Sequence, residues 1–102
     1  MYCVVLVTSK DLDEASAISR KLLEQKLIAC SNIVNGVNSF FSWKGDIVNE
    51  KEVLLVLKTK EEHLKVLTRE VKRIHSYETP EIIALPIIYG DQDYLKWMEE
   101  VL

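Results

Sequence analysis

Cysteine is scarce in this sequence, and positive charge shows no excess. Cys3 and Cys30 are the only cysteines and form no C-x-x-C or C-x-x-x-x-C spacing. That leaves no zinc-knuckle or disulfide framework and reads as two buried, reduced thiols. Lys and Arg number 13 against 16 Asp and Glu, a formal charge of −3. The basic residues are scattered, so nothing supplies the phosphate attraction that nucleic-acid affinity requires. No apolar run is long enough to span a bilayer, and the opening "MYCVVLVTSKD" has no basic leader region, so the expectation is a cytoplasmic protein without a membrane partner. Walker A, G-x-G-x-x-G, H-E-x-x-H and G-x-S-x-G motifs are all missing, which removes the corresponding phosphate, dinucleotide, zincin and hydrolase chemistries. The chain has no linker, repeat or low-complexity segment, and residues 1–102 are expected to form one domain.

What is present is a regular change of period. Residues 2–9, "YCVVLVTS", form a Val-rich run that reads as a buried central strand. In "DLDEASAISRKLLEQKL", Asp11 and Glu14 have the spacing of a capping box, and Leu12, Ala15, Ile18 and Leu22 supply a helical stripe. Residues 28–43 and 47–59 are both extended, joined by the turn "WKGD". Thr59 and Glu62 suggest a second capping box, ahead of a stripe of Leu64, Leu67, Val71 and Ile74. Residues 80–89 read as a fourth strand, with Pro86 marking an edge position or a break. Gly90 and Asp91 open a last helix with Tyr94, Leu95 and Met98 on its inner face. The order β-α-β-β-α-β plus a C-terminal helix predicts an α+β, ferredoxin-like antiparallel sheet.

Two hairpin strands of about 14 residues reach roughly 45 Å at about 3.3 Å per residue, whereas a compact domain of this length is roughly 33 Å across. The hairpin is therefore expected to project beyond its core, carrying Phe40, Phe41, Trp43, Ile47 and Val48. Exposed apolar strands need a cover, and another copy of the chain is the simplest one. Trp43 is read as an oligomer anchor or as a ring lining a pocket between subunits.

The candidate site is "HSYETPE", residues 75–81. His75 is either a cation at a helix C-terminus, where the dipole favours it, or a contact for a metal or small ligand beside Tyr77, Glu78 and Glu81. A transition-metal site needs several converging donors, and this segment offers one imidazole and carboxylates only. His63 reads as solvated. Glu50, Glu52 and Lys58 share a strand face, with the two carboxylates about 7 Å apart. Base stacking of the RNA-recognition type is excluded because the central strands offer only Tyr2. Arg20, Arg69 and Arg73 all fall on helices, leaving no phosphate-cradling loop.

The segments "LIACSNI", "SFFSWKGDI", "EVLLVLKT", "HSYETPEIIALPI" and "DYLKW" stand in the order seen in CutA proteins, which the sequence resembles over essentially its whole length. The resemblance implies a ferredoxin-like fold, a PII-like homotrimer joined through long hairpin strands, and a non-enzymatic role in tolerance of divalent cations, especially copper. The family's His-Pro-Tyr reads His75-Ser76-Tyr77 here, while Cys30, Trp43, Lys58, Pro80, Glu81, Tyr94 and Trp97 match its pattern. Of the Cys and His-His that bind copper in some bacterial members, the matching positions hold Val7, Ile74 and His75. The implied metal contact is thus His75, the implied ligand pocket Cys30, Lys58, Tyr77 and Glu81, and the implied subunit interface Phe41 and Trp43. Two other functions fit the same trimer: a PII-like small-molecule sensor that depends on Lys58, and a scaffold that binds a partner protein.

Overall fold

Alternation along each strand sends successive side chains to opposite faces, and this sorting builds the molecule. The computed structural model describes residues 1–102. Its elements run β1 (Tyr2–Ser9), α1 (Leu12–Glu24), β2 (Cys30–Trp43), β3 (Asp46–Lys60), a 3-10 turn (Glu61–His63), α2 (Leu64–Ile74), β4 (Ile82–Pro86) and α3 (Gln92–Val101). The four strands form one antiparallel sheet in the order β2-β3-β1-β4, as the ferredoxin-like reading requires. Val5, Val7, Leu55 and Leu57 point to one face and meet Ala15, Ile18 and Leu22 of α1 and Leu67 and Val71 of α2 in a single core cluster.

The opposite face alternates in register. Val4 lies beside Leu85 and Lys58, and Leu6 beside Ile83 and Val56. Helix α3 reaches only the end of this face, where Glu99 accepts hydrogen bonds from the Tyr2 hydroxyl at 2.9 Å and Lys60 at 3.1 Å. Val34, Ile83 and Leu85 stay exposed there.

The hairpin is as long as predicted: the molecule measures 45 × 25 × 23 Å, and its long axis matches the reach of the strands. Lys44 and Gly45 turn the chain with φ of 50° and 86°, the paired positive values of a primed hairpin turn. A bulge between Val34 and Val37 sets Asn35 and Gly36 opposite the single residue Val53, with Gly36 at φ 74°. Bulges bend a strand and redirect its side chains; this one lies at the level of Glu52.

Three local expectations are corrected. The Thr59–Glu62 capping box does not form, because Thr59 is buried and its hydroxyl donates to the Leu27 carbonyl at 2.6 Å. Strand β4 spans residues 82–86 rather than 80–89: it pairs only with β1 and ends at Pro86, which has no N–H to continue the ladder. Strand β2 begins at Cys30, since Leu27, Ile28 and Ala29 are spent packing the helix-to-strand connection into the core.

Leu67 anchors α2 and is fully buried. Leu67→Ala is expected to cost about 2–5 kcal/mol through lost burial plus a cavity, read as a lower urea midpoint at fixed protein concentration.

Candidate functional site

The end of β1, the start of α1 and the turn after α2 converge where β3 carries Glu52. Helix α1 begins with Asp11, whose carboxylate accepts the Glu14 N–H at 2.8 Å. Glu14 completes the box one residue early, accepting the Lys10 N–H at 3.1 Å. Its second oxygen crosses to the turn and accepts the Ser76 N–H at 2.8 Å. Burial pushes the Glu14 carboxyl up, but the hydrogen bonds from Ser76 and Lys10, with His75 nearby, outweigh it and hold it below the ordinary range.

His75 ends α2 with its side chain fully enclosed. The two ring nitrogens face different partners. Nε2 lies 2.7 Å from the Thr8 carbonyl, which only accepts, and Nδ1 lies 3.0 Å from the Tyr77 N–H, which only donates. These partners assign the neutral tautomer with its proton on Nε2. The ring therefore bridges β1 to the turn and aims Tyr77, whose ring centroid lies 4.8 Å from its own.

Tyr77 donates its hydroxyl to Glu52 Oε2 at 2.8 Å. Desolvation, followed by that hydrogen bond and the Glu52 charge, pushes the phenol far above its ordinary value. Glu81 is also raised, by desolvation first and the Glu52 carboxylate second, although much of its side chain meets solvent. Glu52 adds to both shifts after desolvation, which puts the three side chains at one place.

That place is a groove of about 790 Å³ between the hairpin arm and the 77–81 turn. Phe40, Phe41 and Trp43 wall one side, Tyr77 the other, and Glu50, Glu52, Glu78 and Glu81 line it together with Lys10. Tyr77, Glu81, Phe41 and Trp43 of the predicted residues therefore come together. His75 supports the groove from behind without lining it.

Cys30 and Lys58 lie elsewhere. They are cross-strand partners, six residues along β3 from Glu52, or roughly 20 Å. Lys58 donates to Asn32, and the Cys30 thiol lies 3.8 Å from the same side-chain oxygen. Tyr94 of α3 stands over this pair, its phenol raised by desolvation and then by Cys30. One chain thus does not bring the four predicted pocket residues into one place.

Sequence reasoning named Glu78 beside His75 and placed Phe40 on the arm, but it missed Lys10 as a groove residue and read Glu14 only as a cap. A carboxylate at the third helical position facing a His-Ser pair 61 residues later leaves no local signal. Val7 is fully buried in the core and Ile74 packs against it. No three His, Cys, Asp or Glu side chains converge to hold a metal ion.

The chain matches the family model described as CutA1 divalent ion tolerance protein over residues 3–101. A divalent-cation tolerance protein CutA of Thermus thermophilus is 42% identical over 97 residues, covering 95% of this chain and 94% of that protein. The solved structure of a divalent cation tolerance protein (Cut A1) from Thermus thermophilus superposes with a TM-score of 0.96 at 42% identity, covering 98% of this chain and 97% of that one. A structure from Archaeoglobus fulgidus, named a periplasmic divalent cation tolerance protein CutA, gives 0.96 at 40% identity over 99% and 98% of the two chains.

Glu14→Gln removes an acceptor shared by Lys10 and Ser76 and is expected to cost about 1–2 kcal/mol at neutral pH. The native carboxyl titrates below its unfolded value. Its stabilisation is therefore complete above the ordinary glutamate pKa of about 4.3 and disappears as pH falls through the lowered native value. Urea midpoints of wild type and variant should differ at neutral pH and converge in acid.

Proposed function

Because this chain belongs to the CutA1 divalent ion tolerance family, we propose that it is a non-enzymatic divalent-cation tolerance protein working as a homotrimer. Residues 1–102 act as one domain, and the groove beside the arm is its ligand site. The observation that carries this reading is the uncovered arm: Phe40 is 68% exposed, Trp43 56% and Ile47 83%, beside a groove their own chain leaves open. The bare apolar side chains Val34, Ile83 and Leu85 add to the surface that neighbouring copies would cover. Two thiols that form no disulfide favour a reducing compartment, the cytoplasm.

The family implies a divalent cation, copper included, and the donors of one chain do not fit a tight copper site. Both His75 nitrogens are already engaged, Val7 and Ile74 offer no donor, and Cys30 is remote from the groove. Oxygen ligands remain, chiefly Glu52 and Glu81, which suit harder and weaker coordination. The aromatic wall favours a second reading, a PII-like sensor of a small molecule; the scaffold for a partner protein needs only the trimer.

Two measurements test this. Sedimentation of Phe41→Asp and Trp43→Asp is expected to show monomers where wild type sediments as a trimer; intact trimers in both variants would remove the arm from the interface. Calorimetry with Cu²⁺ is expected to give weak binding that His75→Gln changes by less than about threefold, and that Glu52→Gln lowers by about tenfold. Stoichiometric micromolar binding abolished in His75→Gln would instead make the imidazole a ligand.

A further inference from the structure

We propose that Asn35-Gly36 is a site of spontaneous covalent modification, where the asparagine cyclises to a succinimide that opens to aspartate and isoaspartate. The pair lies outside the ligand groove, in the bulge that joins the core half of β2 to its arm. It is the only Asn-Gly step in the chain. Both residues are exposed, and the Asn35 carboxamide oxygen accepts the Gly36 N–H at 2.9 Å. The nitrogen that must attack is thereby held beside the carbonyl group it attacks. Nothing shields it: apart from its chain neighbours, no atom lies within 4 Å of the place a Cβ would take on Gly36.

The step needs only water. The Gly36 nitrogen gives its proton to a solvent base and bonds to Cγ of Asn35, while the Cγ–Nδ2 bond breaks and Nδ2 takes up a proton and leaves as ammonia. Water then opens the imide. Breaking the new N–Cγ bond gives aspartate, and breaking the original backbone C–N bond gives isoaspartate, with one more methylene in the backbone path. Ring closure removes the Gly36 N–H and fixes the Asn35 backbone, changes that would break a pair in a regular ladder. Here the register passes from Val34–Leu54 to Val37–Glu52, leaving Asn35 and Gly36 without register partners of their own, and a bulge already absorbs surplus backbone. The other asparagines lack this combination. Asn32 precedes the β-branched Ile33. Asn38 and Asn49 precede Ser39 and Glu50, keep their register and are hydrogen bonded to each other. Asn35 and Gly36 border a cleft of about 400 Å³ at the start of α1, beside Lys10, Asp11 and Lys51. That is the helix side of the sheet, away from the bare face of Val34, Ile83 and Leu85.

The test incubates the assembled full-length protein at mildly alkaline pH and follows each asparagine by peptide mass mapping. Isoaspartate is read by labelling with a protein-isoaspartate carboxyl methyltransferase, and the same chain unfolded in guanidinium chloride supplies the reference rate. The expected result is an amide-to-acid mass gain confined to Asn35, with methyl acceptance rising alongside it, at a rate within about tenfold of the unfolded chain. Asn35→Gln, whose longer side chain must close a larger ring, is expected to abolish both signals. Gly36→Ala is expected to slow them by about tenfold, with the sedimentation of both variants checked because a side chain at φ 74° strains the bulge. A rate in the folded protein more than about tenfold below the reference would mean that the bulge locks the pair, and would overturn the proposal. Equal mass gain at Asn38 or Asn49 would overturn it as general ageing of exposed amides. Mass gain at Asn35 without methyl acceptance would overturn it in favour of direct hydrolysis of the side chain.

Discussion

The β2–β3 hairpin outruns the core that its own chain supplies, and most of the architecture depends on that mismatch. Along the inner half of β3, Val53, Leu55 and Leu57 are buried under two helices. Beyond Glu52 no helix remains to cover the sheet, yet the strands continue paired from Val37–Glu52 to Trp43–Asp46. Backbone hydrogen bonding holds this arm together, but its own chain covers the apolar side chains only in part. In the proposed homotrimer the missing contacts come from neighbouring copies. The fold of one chain and the assembly of several are therefore parts of the same physical problem.

Glu52 sits where the two regimes meet. It is the last well-buried residue on β3 before the arm, and it is a carboxylate. The bulge at Asn35 and Gly36 opposes its neighbour, and the Tyr77 hydroxyl meets it from the turn. A carboxylate in this position is costly unless hydrogen bonded. The apparatus from Glu14 through Ser76 and His75 to Tyr77 supplies that bond with a fixed geometry. Two helix ends and one strand end are tied together so that a single phenol is correctly placed.

Much of the fold was legible because it follows from periodicity. The 3.6-residue stripe of α2, the Val-rich β1 and the hairpin turn at Lys44-Gly45 each read directly from local residue type. Length arithmetic made the projecting arm legible as well. The Thr59–Glu62 box failed because tertiary burial overrode a local signal: Thr59 lies on the core face, and its hydroxyl had to find the Leu27 carbonyl. The site was half legible. Tyr77, Glu81 and Trp43 share the groove, whereas Cys30 and Lys58 matched a family pattern without occupying the same place in one chain. Strand position was readable for Lys58 and Glu52, but the six residues between them translate into distance only once the strand is known to be straight.

The role of His75 follows from counting lone pairs rather than from its company. An imidazole among carboxylates and a tyrosine reads as a ligand, because histidine is the commonest metal-binding side chain. Here the ring has two nitrogens and two backbone partners, so it has no free coordination position without breaking one of those bonds. The place of His75 beside Tyr77, where neither Val7 nor Ile74 offers a donor, is then explained by support of the turn. The chemistry of the groove is left to the carboxylates and the rings that face it.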